Sequence, residues 1–386
     1  MKIVVCDITG RTLNYDLALF HALKNMNDSD WIQLWIPKNR QNESGIKGFN
    51  SFIPQRYRNS SNLLVKIIKA IDTLFAYLVI CFRMIKLKPG VFHLQWFPFI
   101  SLGTKGKMID VLFLRLIKSL SPNTRFVFTI HNICPHDMKE GERKNYNPVF
   151  AKALSFFDHF IVHTQSTKDQ VCRELNIRKD SVSVVLHGVF IPEGFDFDSI
   201  SLHNNKETRI IMYGNQNWYK GTDLLVKSLD YLSVEVRKSI KITICGAIST
   251  SYLVECKSYD KDNCIEWIPK FLDDNTLFEC INESDIIVLP YRRISQSGVL
   301  LLALATKRYI ITSDLDSFKE TLTGFPEDLF FKADDPEDLA RVITRYVERN
   351  VNEDLLKASI SQNMARYSWD SSAQITLQLY KGAMSC

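Results

Sequence analysis

The chain has 386 residues, 46% of them hydrophobic and 24% charged, which excludes a disordered chain and suits two domains better than one core. The formal net charge is only +5, so nothing demands a nucleic-acid partner and none is expected. Nine cysteines without a CxxC pair argue against a zinc site and a disulfide framework, and with no apolar leader behind Met1-Lys2 a reducing cytoplasm is the expected compartment.

Lys2-Ile3-Val4-Val5-Cys6 reads as a buried parallel strand, followed by Asp7-Ile8-Thr9-Gly10 and a helix from about Asn14 to Lys24. The opening is Rossmann-like but lacks the glycine fingerprint of dinucleotide binding. Trp31–Ile36 is the next strand, and Gln41–Ser61 reads as a polar loop region. Asn62–Leu87 is a long apolar stretch with Lys66, Lys69, Arg83 and Lys86 interspersed and Lys88 just beyond it. Its uninterrupted apolar core, Thr73–Phe82, is too short to span a bilayer, which takes about 20 residues. A basic amphipathic helix of this kind lies on an anionic membrane surface or packs on the sheet as a core helix, and different faces of one helix can do both.

Val91–Trp96 and Arg125–Ile130 are further strands, joined by the apolar helix Met108–Leu120. The second runs into His131-Asn132-Ile133-Cys134-Pro135-His136-Asp137. In a doubly wound sheet ligands bind outside the carboxyl ends of the strands. His131 is therefore placed to hydrogen-bond a ligand hydroxyl, and His136 and Asp137 to bind or deprotonate one. A metal site is the rival reading, but the spacing has no helical i, i+4 pair and no metal is expected. His159–His163 is a strand leading to a helix Lys168–Leu175, with Ser166 as its expected N-cap. His159 reads as structural, whereas His163 stands at the strand end. Ser181–Leu186 completes the sheet, His187-Gly188-Val189 leaves it, and the polar segment Pro192–Glu207 marks a domain boundary.

The second series reads strand Arg209–Tyr213, helix Thr222–Leu232, strands Lys241–Cys245 and Cys264–Trp267, helix Asp274–Asn282, strand Asp285–Leu289, helix Gly298–Ala305 and strand Tyr309–Thr312. Such alternation implies a parallel sheet with right-handed crossovers. Asp334-Asp335-Pro336-Glu337-Asp338 opens a capped helix, and Tyr367-Ser368-Trp369-Asp370 leads into the last one.

Two turns in this half carry the chemistry. Tyr213-Gly214-Asn215-Gln216-Asn217-Trp218-Tyr219-Lys220-Gly221 connects a strand to a helix and delivers Lys220 to the helix start, where free amides and the macrodipole favour an anion. About eighty residues on, Ser295-Gln296-Ser297-Gly298-Val299 opens an apolar helix expected to be buried on all sides, and its small residues leave the amides exposed to a phosphate. Two anion sites in successive strand–loop–helix units suggest one nucleoside diphosphate held between them.

The pattern resembles the C-terminal half of GT-B glycosyltransferases of the large retaining group, the group 1 enzymes that include sucrose synthase and the bacterial mannosyltransferases. Members show a glycine-x-isoleucine-arginine-x-tyrosine-lysine-glycine turn, matched in part by Gly214 to Gly221. They also show a serine-glycine-valine-leucine-leucine-glutamate-alanine helix start, matched by Ser297 to Ala303 except at Leu302. The resemblance implies an α/β fold of two Rossmann-like parallel-sheet domains facing across a cleft. Residues 1–195 would bind the acceptor, residues 205–365 the nucleotide sugar, and a C-terminal helix 366–386 would pack back on the first domain.

It also implies the roles. Gly214, Asn215, Asn217, Lys220, Gly221, Gly246, Ile268, Arg292, Ser295, Gln296, Ser297, Gly298 and Val299 would face the donor. Thr9, Gly10, Asn14, His136 and Asp137 would face a saccharide or lipid-linked saccharide acceptor, with an ordinary turn as the alternative for the first three. His131 would meet the donor sugar, and Lys220 with the Ser295–Gly298 amides would stabilise the leaving diphosphate. No cofactor is expected beyond the nucleotide sugar, which is substrate. The group's frequent role in surface polysaccharide synthesis and the basic helix point to the inner face of a bacterial membrane, held peripherally.

Two departures stand out. Relatives carry an arginine beside the diphosphate where this chain has Asn215 and Asn217, and glutamates where it has Leu302 and the Ser295-Gln296 pair. Arg292 or Arg293 is the candidate replacement cation. A catalytically silent partner subunit and a sugar-nucleotide epimerase of the same fold therefore stand as alternatives to an active transferase.

Overall fold

Apolar runs without alternation become strands buried on both faces. Lys2–Cys6 (β1) forms the middle of a parallel sheet with only Lys2 exposed. The computed structural model describes residues 1–26, 31–37, 45–49, 63–100, 107–133, 148–190, 207–294, 297–348 and 353–385. The chain divides into two units, Met1–Gly188 with Trp369–Cys386, and Val189–Ser368.

In the first unit β1 is joined by β2 (Trp31–Pro37), β3 (Ile46–Phe49), β4 (Val91–Leu94), β5 (Arg125–Thr129), β6 (His159–Val162) and β7 (Val182–Val184). All pair parallel in the order β3-β2-β1-β4-β5-β6-β7. The short edge strand β3 lies inside the region that reads as loop, because its four residues include only two buried apolar ones, Ile46 and Phe49. The helices are α1 (Leu13–Met26), α2 (Leu63–Leu87), α3 (Lys107–Leu120), α4 (148–154) and α5 (Gln165–Leu175). The N-cap of α5 is Thr164 and not Ser166: its hydroxyl accepts from the Thr167 amide at 3.1 Å, and the helix begins one residue later.

Helices α2 and α3 bury one face each. Ala76, Ile80 and Met84 on α2, and Val111, Leu114 and Ile117 on α3, pack into one core with Phe92 and Phe126 of the sheet. Tyr77 stacks on Phe113 at 3.9 Å between ring centroids and donates its hydroxyl to Asp110. That carboxylate also accepts the amides of Phe99 and Ile100, at 3.0 and 2.7 Å. Burial outweighs these bonds and pushes Asp110 up to about 6.

The second unit holds β8 (Thr208–Met212), β9 (Ile240–Cys245), β10 (Ile265–Ile268), β11 (Ile286–Leu289), β12 (Tyr309–Ser313) and β13 (Phe330–Phe331) in the order β10-β9-β8-β11-β12-β13. Its helices are α6 (Thr222–Ser228), α7 (Val234–Lys238), α8 (Thr250–Tyr259), α9 (Asp274–Asn282), α10 (Gly298–Ala305), α11 (Asp316–Thr321), α12 (Pro336–Val347) and α13 (Glu353–Arg366). The expected helix Thr222–Leu232 stops at Ser228 and tightens into a 3-10 turn, and α8 separates two strands that read as consecutive. Only Tyr252 and Cys256 of α8 are buried, too few to show as a periodic stripe. Helix α10 is not buried on all sides: Gly298 is exposed, and Val299 and Leu302 are half-buried along one open face. The last helix, α14 (Trp369–Ser385), belongs to the first unit and packs on α1.

Strand order reverses between β1 and β4 in one sheet and between β8 and β11 in the other. The loops leaving the reversal point diverge to opposite faces and open a crevice, which is where ligands bind in such sheets. The two turns singled out by sequence follow β8 and β11. Gly221 makes their approach possible: its φ is +73°, and a Cβ there would overlap the carbonyl of Pro290. Gly221→Ala should therefore destabilise the protein by about 3 kcal/mol or more, because the obstruction is backbone. Urea denaturation checks this, and a loss below about 1 kcal/mol would contradict the close approach.

Candidate functional site

The β8 turn is held from inside by Gln216. Its amide donates to the carbonyls of Gly214 (2.8 Å) and Cys245 (3.0 Å), its oxygen accepts from the Thr222 hydroxyl (2.8 Å), and its backbone N–H bonds Ala247. Gly246, at φ +127°, lets the β9 loop lie so close that a Cβ would overlap the Gly214 carbonyl. The Ile268 carbonyl accepts from Gly246 and Lys270, which ties β10 to the same edge. Asn215 is exposed, and Asn217 is half-buried with its carbonyl accepting from the Lys220 amide.

Lys220 is only 6% exposed. Its ammonium and the Val299 side chain lie 3.1 and 3.3 Å from the point where a Gly214 Cβ would stand, so the two sequence motifs meet here. The Tyr291 ring lies beneath the ammonium, 5.3 Å to its centroid, with its own hydroxyl buried. Among the described residues no carboxylate is within ion-pair distance of Lys220, and burial holds its pKa below the ordinary lysine value. Ser297 caps α10 by accepting from Leu300 (3.2 Å), and the amides of Gly298 and Val299 have no acceptor among the described residues. Ser295 and Gln296 lie outside the described residues.

Arg292 is engaged by the protein. Its guanidinium donates to both Asp223 oxygens (2.8 Å each), to Asp334 (2.7 Å) and to the Trp218 carbonyl (2.8 Å), and it lies over the Trp218 ring. Burial alone would raise the Asp223 pKa, but Arg292, Tyr252 and Lys227 bring it down to about 2. The first turn of α6 thus carries a protein carboxylate at its positive end, and the Asp223 amide is taken by the Tyr252 hydroxyl. Lys220 and the two α10 amides remain on this edge as donors with no protein acceptor among the described residues.

In the first unit four histidines sit at or just beyond four successive strands, β4 to β7: His93, His131, His163 and His187. Tyr15 of α1 is at their centre, with ring centroids 5.1, 5.3 and 5.0 Å from His131, His163 and His187, and Trp369 of α14 closes over it at 5.3 Å. His163 donates from Nδ1 to the Val185 carbonyl (2.9 Å) and faces His131 Nδ1 through Nε2 (3.3 Å). His131 Nε2 meets the Gln95 side chain at 2.9 Å, and His93 bridges Thr129 and Tyr380. The carbonyl oxygens of Val185 and of the Gln95 side chain only accept, so neutral His163 carries its proton on Nδ1 and neutral His131 donates from Nε2 to Gln95 Oε1. His131 is half-buried, and the half-buried indole of Trp96 stacks on it (5.3 Å, 10°) while donating to Thr12 (3.1 Å).

Of the acceptor candidates, Thr9 donates to the buried Asp7 (2.7 Å), Gly10 has φ +64°, and Asn14 is exposed on the first turn of α1. Together they line the β1 loop at the strand reversal. His136 and Asp137 lie outside the described residues.

Residues 207–349 match the family described as Glycosyl transferases group 1, and residues 69–191 match Glycosyltransferase Family 4, which together span more than half of the chain. The chain belongs to the GT-B glycosyltransferases. This glycosyltransferase chain is 22% identical over 251 residues to an uncharacterized glycosyltransferase of Methanocaldococcus jannaschii, covering 58% of this chain and 60% of that one. It is 25% identical over 231 residues to a GDP-mannose:glycolipid 4-beta-D-mannosyltransferase of Xanthomonas campestris pv. campestris, covering 57% and 60%. The alignments thus span 60% of these relatives' length. The fold of Anabaena Alr3699/HepE, solved with UDP and glucose, superposes with a TM-score of 0.70 at 11% identity over 99% of this chain and 100% of that one.

Sequence reasoning missed Gln216, Asp223 and Tyr291 around Lys220, and Tyr15, Gln95 and Trp96 around His131. The signal available for Gln216 was its place between two asparagines in a glycine turn. For the aromatic residues there was none, because their meeting depends on strand order.

Burial keeps the histidine cluster of this GT-B chain neutral: it pushes His163 down to about 4, His93 and His187 to about 3, and His131 well below the ordinary value. The unfolded chain takes up protons near pH 6.5 while the folded chain does not, so stability falls as pH drops through 6.5 toward 4. The loss should reach roughly 2 kcal/mol per ring at pH 5. Urea midpoints between pH 8 and 5 check this, and a flat profile would mean that the rings are protonated in the fold.

Proposed function

We propose that this chain transfers a sugar from a nucleoside diphosphate to a hydroxyl of a saccharide or lipid-linked saccharide, with retention of configuration and without a metal or other cofactor. The observation that carries the reading is the Lys220 ammonium, buried near the start of α10 and, among the described residues, without a carboxylate and beside the unpaired amides of Gly298 and Val299. A buried cation without a partner is costly, and a diphosphate would offset that cost. Negative charge grows on the departing phosphate as the glycosidic bond breaks, and fixed donors that strengthen with it accelerate the step. His131, stacked on Trp96 beside the β1 loop, is the candidate contact to sugar hydroxyls. Surface polysaccharide or glycolipid assembly is the proposed setting. A relative named for mannosyl transfer to a glycolipid and a fold neighbour solved with UDP and glucose support it.

Lys220→Met separates function from structure. Removing a buried, unpaired ammonium should stabilise the free protein by about 1 kcal/mol, while diphosphate affinity falls roughly ten- to a hundredfold with the lost charge-assisted bond. Nucleoside affinity should hardly change. Calorimetric titration with nucleoside and nucleoside diphosphate, beside thermal melting, reads both effects. Unchanged diphosphate affinity would overturn the assignment, and intact binding without transfer from any nucleotide sugar in a panel would favour the silent subunit.

Leu302 stands half-buried on the open face of α10 where relatives carry a glutamate. No carboxylate then meets the ribose from this position, and ribo- and deoxyribonucleoside diphosphates should compete equally. A ribose preference of tenfold or more would mean that another group makes that bond.

A further inference from the structure

Helices α2 and α3 turn parallel apolar stripes to solvent. Ile71, Leu74, Leu78 and Phe82 follow one another at helical spacing on α2, and Leu112 and Leu116 do so on α3; Leu78 and Phe82 are each 67% exposed and Leu112 is 61% exposed. The opposite face of each helix is in the core, and Tyr77 on Phe113 holds the two side by side, so both stripes point away from the sheet. Exposed apolar residues run along α2 from Leu64 to Ile85, over roughly 32 Å. Monomeric proteins rarely expose a contiguous apolar surface of this kind without a partner for it.

The charges around the patch decide the partner. Lys86, Lys88 and Arg115 are exposed at its rim. The two helices carry only two carboxylates, Asp110, which is buried, and Asp72, which is half-buried. Lys118 and Arg83 are engaged elsewhere, with Asp158 and the Gly48 carbonyl. In an isologous contact with a second copy, the two basic rims would meet without exposed carboxylates between them. An anionic lipid surface supplies acyl chains for the stripes and phosphates for the rim. Among the described residues no helix is long and apolar enough to cross a membrane, so the geometry is that of a helix pair lying in the interface.

We propose that the outer face of α2 and α3 docks this protein in the plane of an anionic bilayer. The docking stands independently of donor chemistry, since it uses no residue of the Lys220 or His131 surroundings.

Flotation of the whole chain tests it, using vesicles of phosphatidylcholine alone and of phosphatidylcholine with phosphatidylglycerol in a two-to-one mixture. Binding to the anionic vesicles should be at least tenfold stronger, and Lys86→Gln with Lys88→Gln and Arg115→Gln should remove that difference. Leu78→Glu with Leu112→Glu should weaken binding to both at least tenfold. Hydrogen exchange on the unsubstituted protein gives a reading that needs no variant to fold: vesicles should slow exchange in residues 63–87 and 107–120. Protection mapping elsewhere, or binding unchanged by either set of substitutions, would overturn the proposal. So would light scattering that shows a dimer dispersed by Leu78→Glu with Leu112→Glu while vesicles fail to bind. A chain that floats but neither binds nor transfers a nucleotide sugar would refute the transferase reading and leave this one intact.

Discussion

The pair between Arg292 and Asp223 organises the second unit. Asp223 sits in the first turn of α6 and Arg292 in the loop after β11, so their two 2.8 Å bonds lock together the turns on either side of the strand reversal. The pair is largely removed from water; Tyr252 and Lys227 donate to Asp223, and Arg292 donates to the Trp218 carbonyl, which satisfies what is left of both charges. A buried ion pair satisfied in this way adds little stability over an apolar contact, but breaking one side leaves an uncompensated charge. Its use here is geometric. It holds the turn that carries Lys220 against the start of α10.

The same lock explains why Lys220 stands without a counter-ion. The carboxylate nearest in sequence, Asp223, is committed to Arg292 and Lys227, so the ammonium is left with the face of Tyr291 and the amides of Gly298 and Val299 nearby. The arginine absent from the glycine turn is thus not replaced by Arg292 as a free cation. Arg292 instead positions the lysine. The first unit follows a comparable rule with neutral groups: hydrogen bonds from His163 to the Val185 carbonyl and from His131 to Gln95 Oε1 order the rings at the strand ends, and burial removes their charge.

The two units place opposite chemistries at their reversal points. The second offers an unpaired cation and amides, suited to an anion. The first offers uncharged imidazoles, an indole face at Trp96 and the hydroxyls of the β1 loop, suited to a polyhydroxy ligand.

Much of this was legible in the residues. Apolar runs such as Ile286–Leu289 named their strands, the glycine turn and the Ser297-Gly298-Val299 helix start marked the edge where Lys220 and Val299 meet, and the motif resemblance led to the GT-B family. These are local matters, decided by hydrophobic period and turn chemistry within a few residues. Elements with little local signal were lost: β3 inside a polar loop, α8 with two buried residues, and the cap of α5, where Thr164 and Ser166 are chemically alike and only the path of the chain chooses between them. The roles of charged and aromatic side chains were not legible either. Whether Arg292 stays free or pairs with Asp223, sixty-nine residues away, depends on strand order, and so does the meeting of Tyr15, His131, His163, His187 and Trp369. Sequence alone determined which turns carry a lysine or a small-residue helix start; only the packing of parallel strands decided which charges were already spent within the protein.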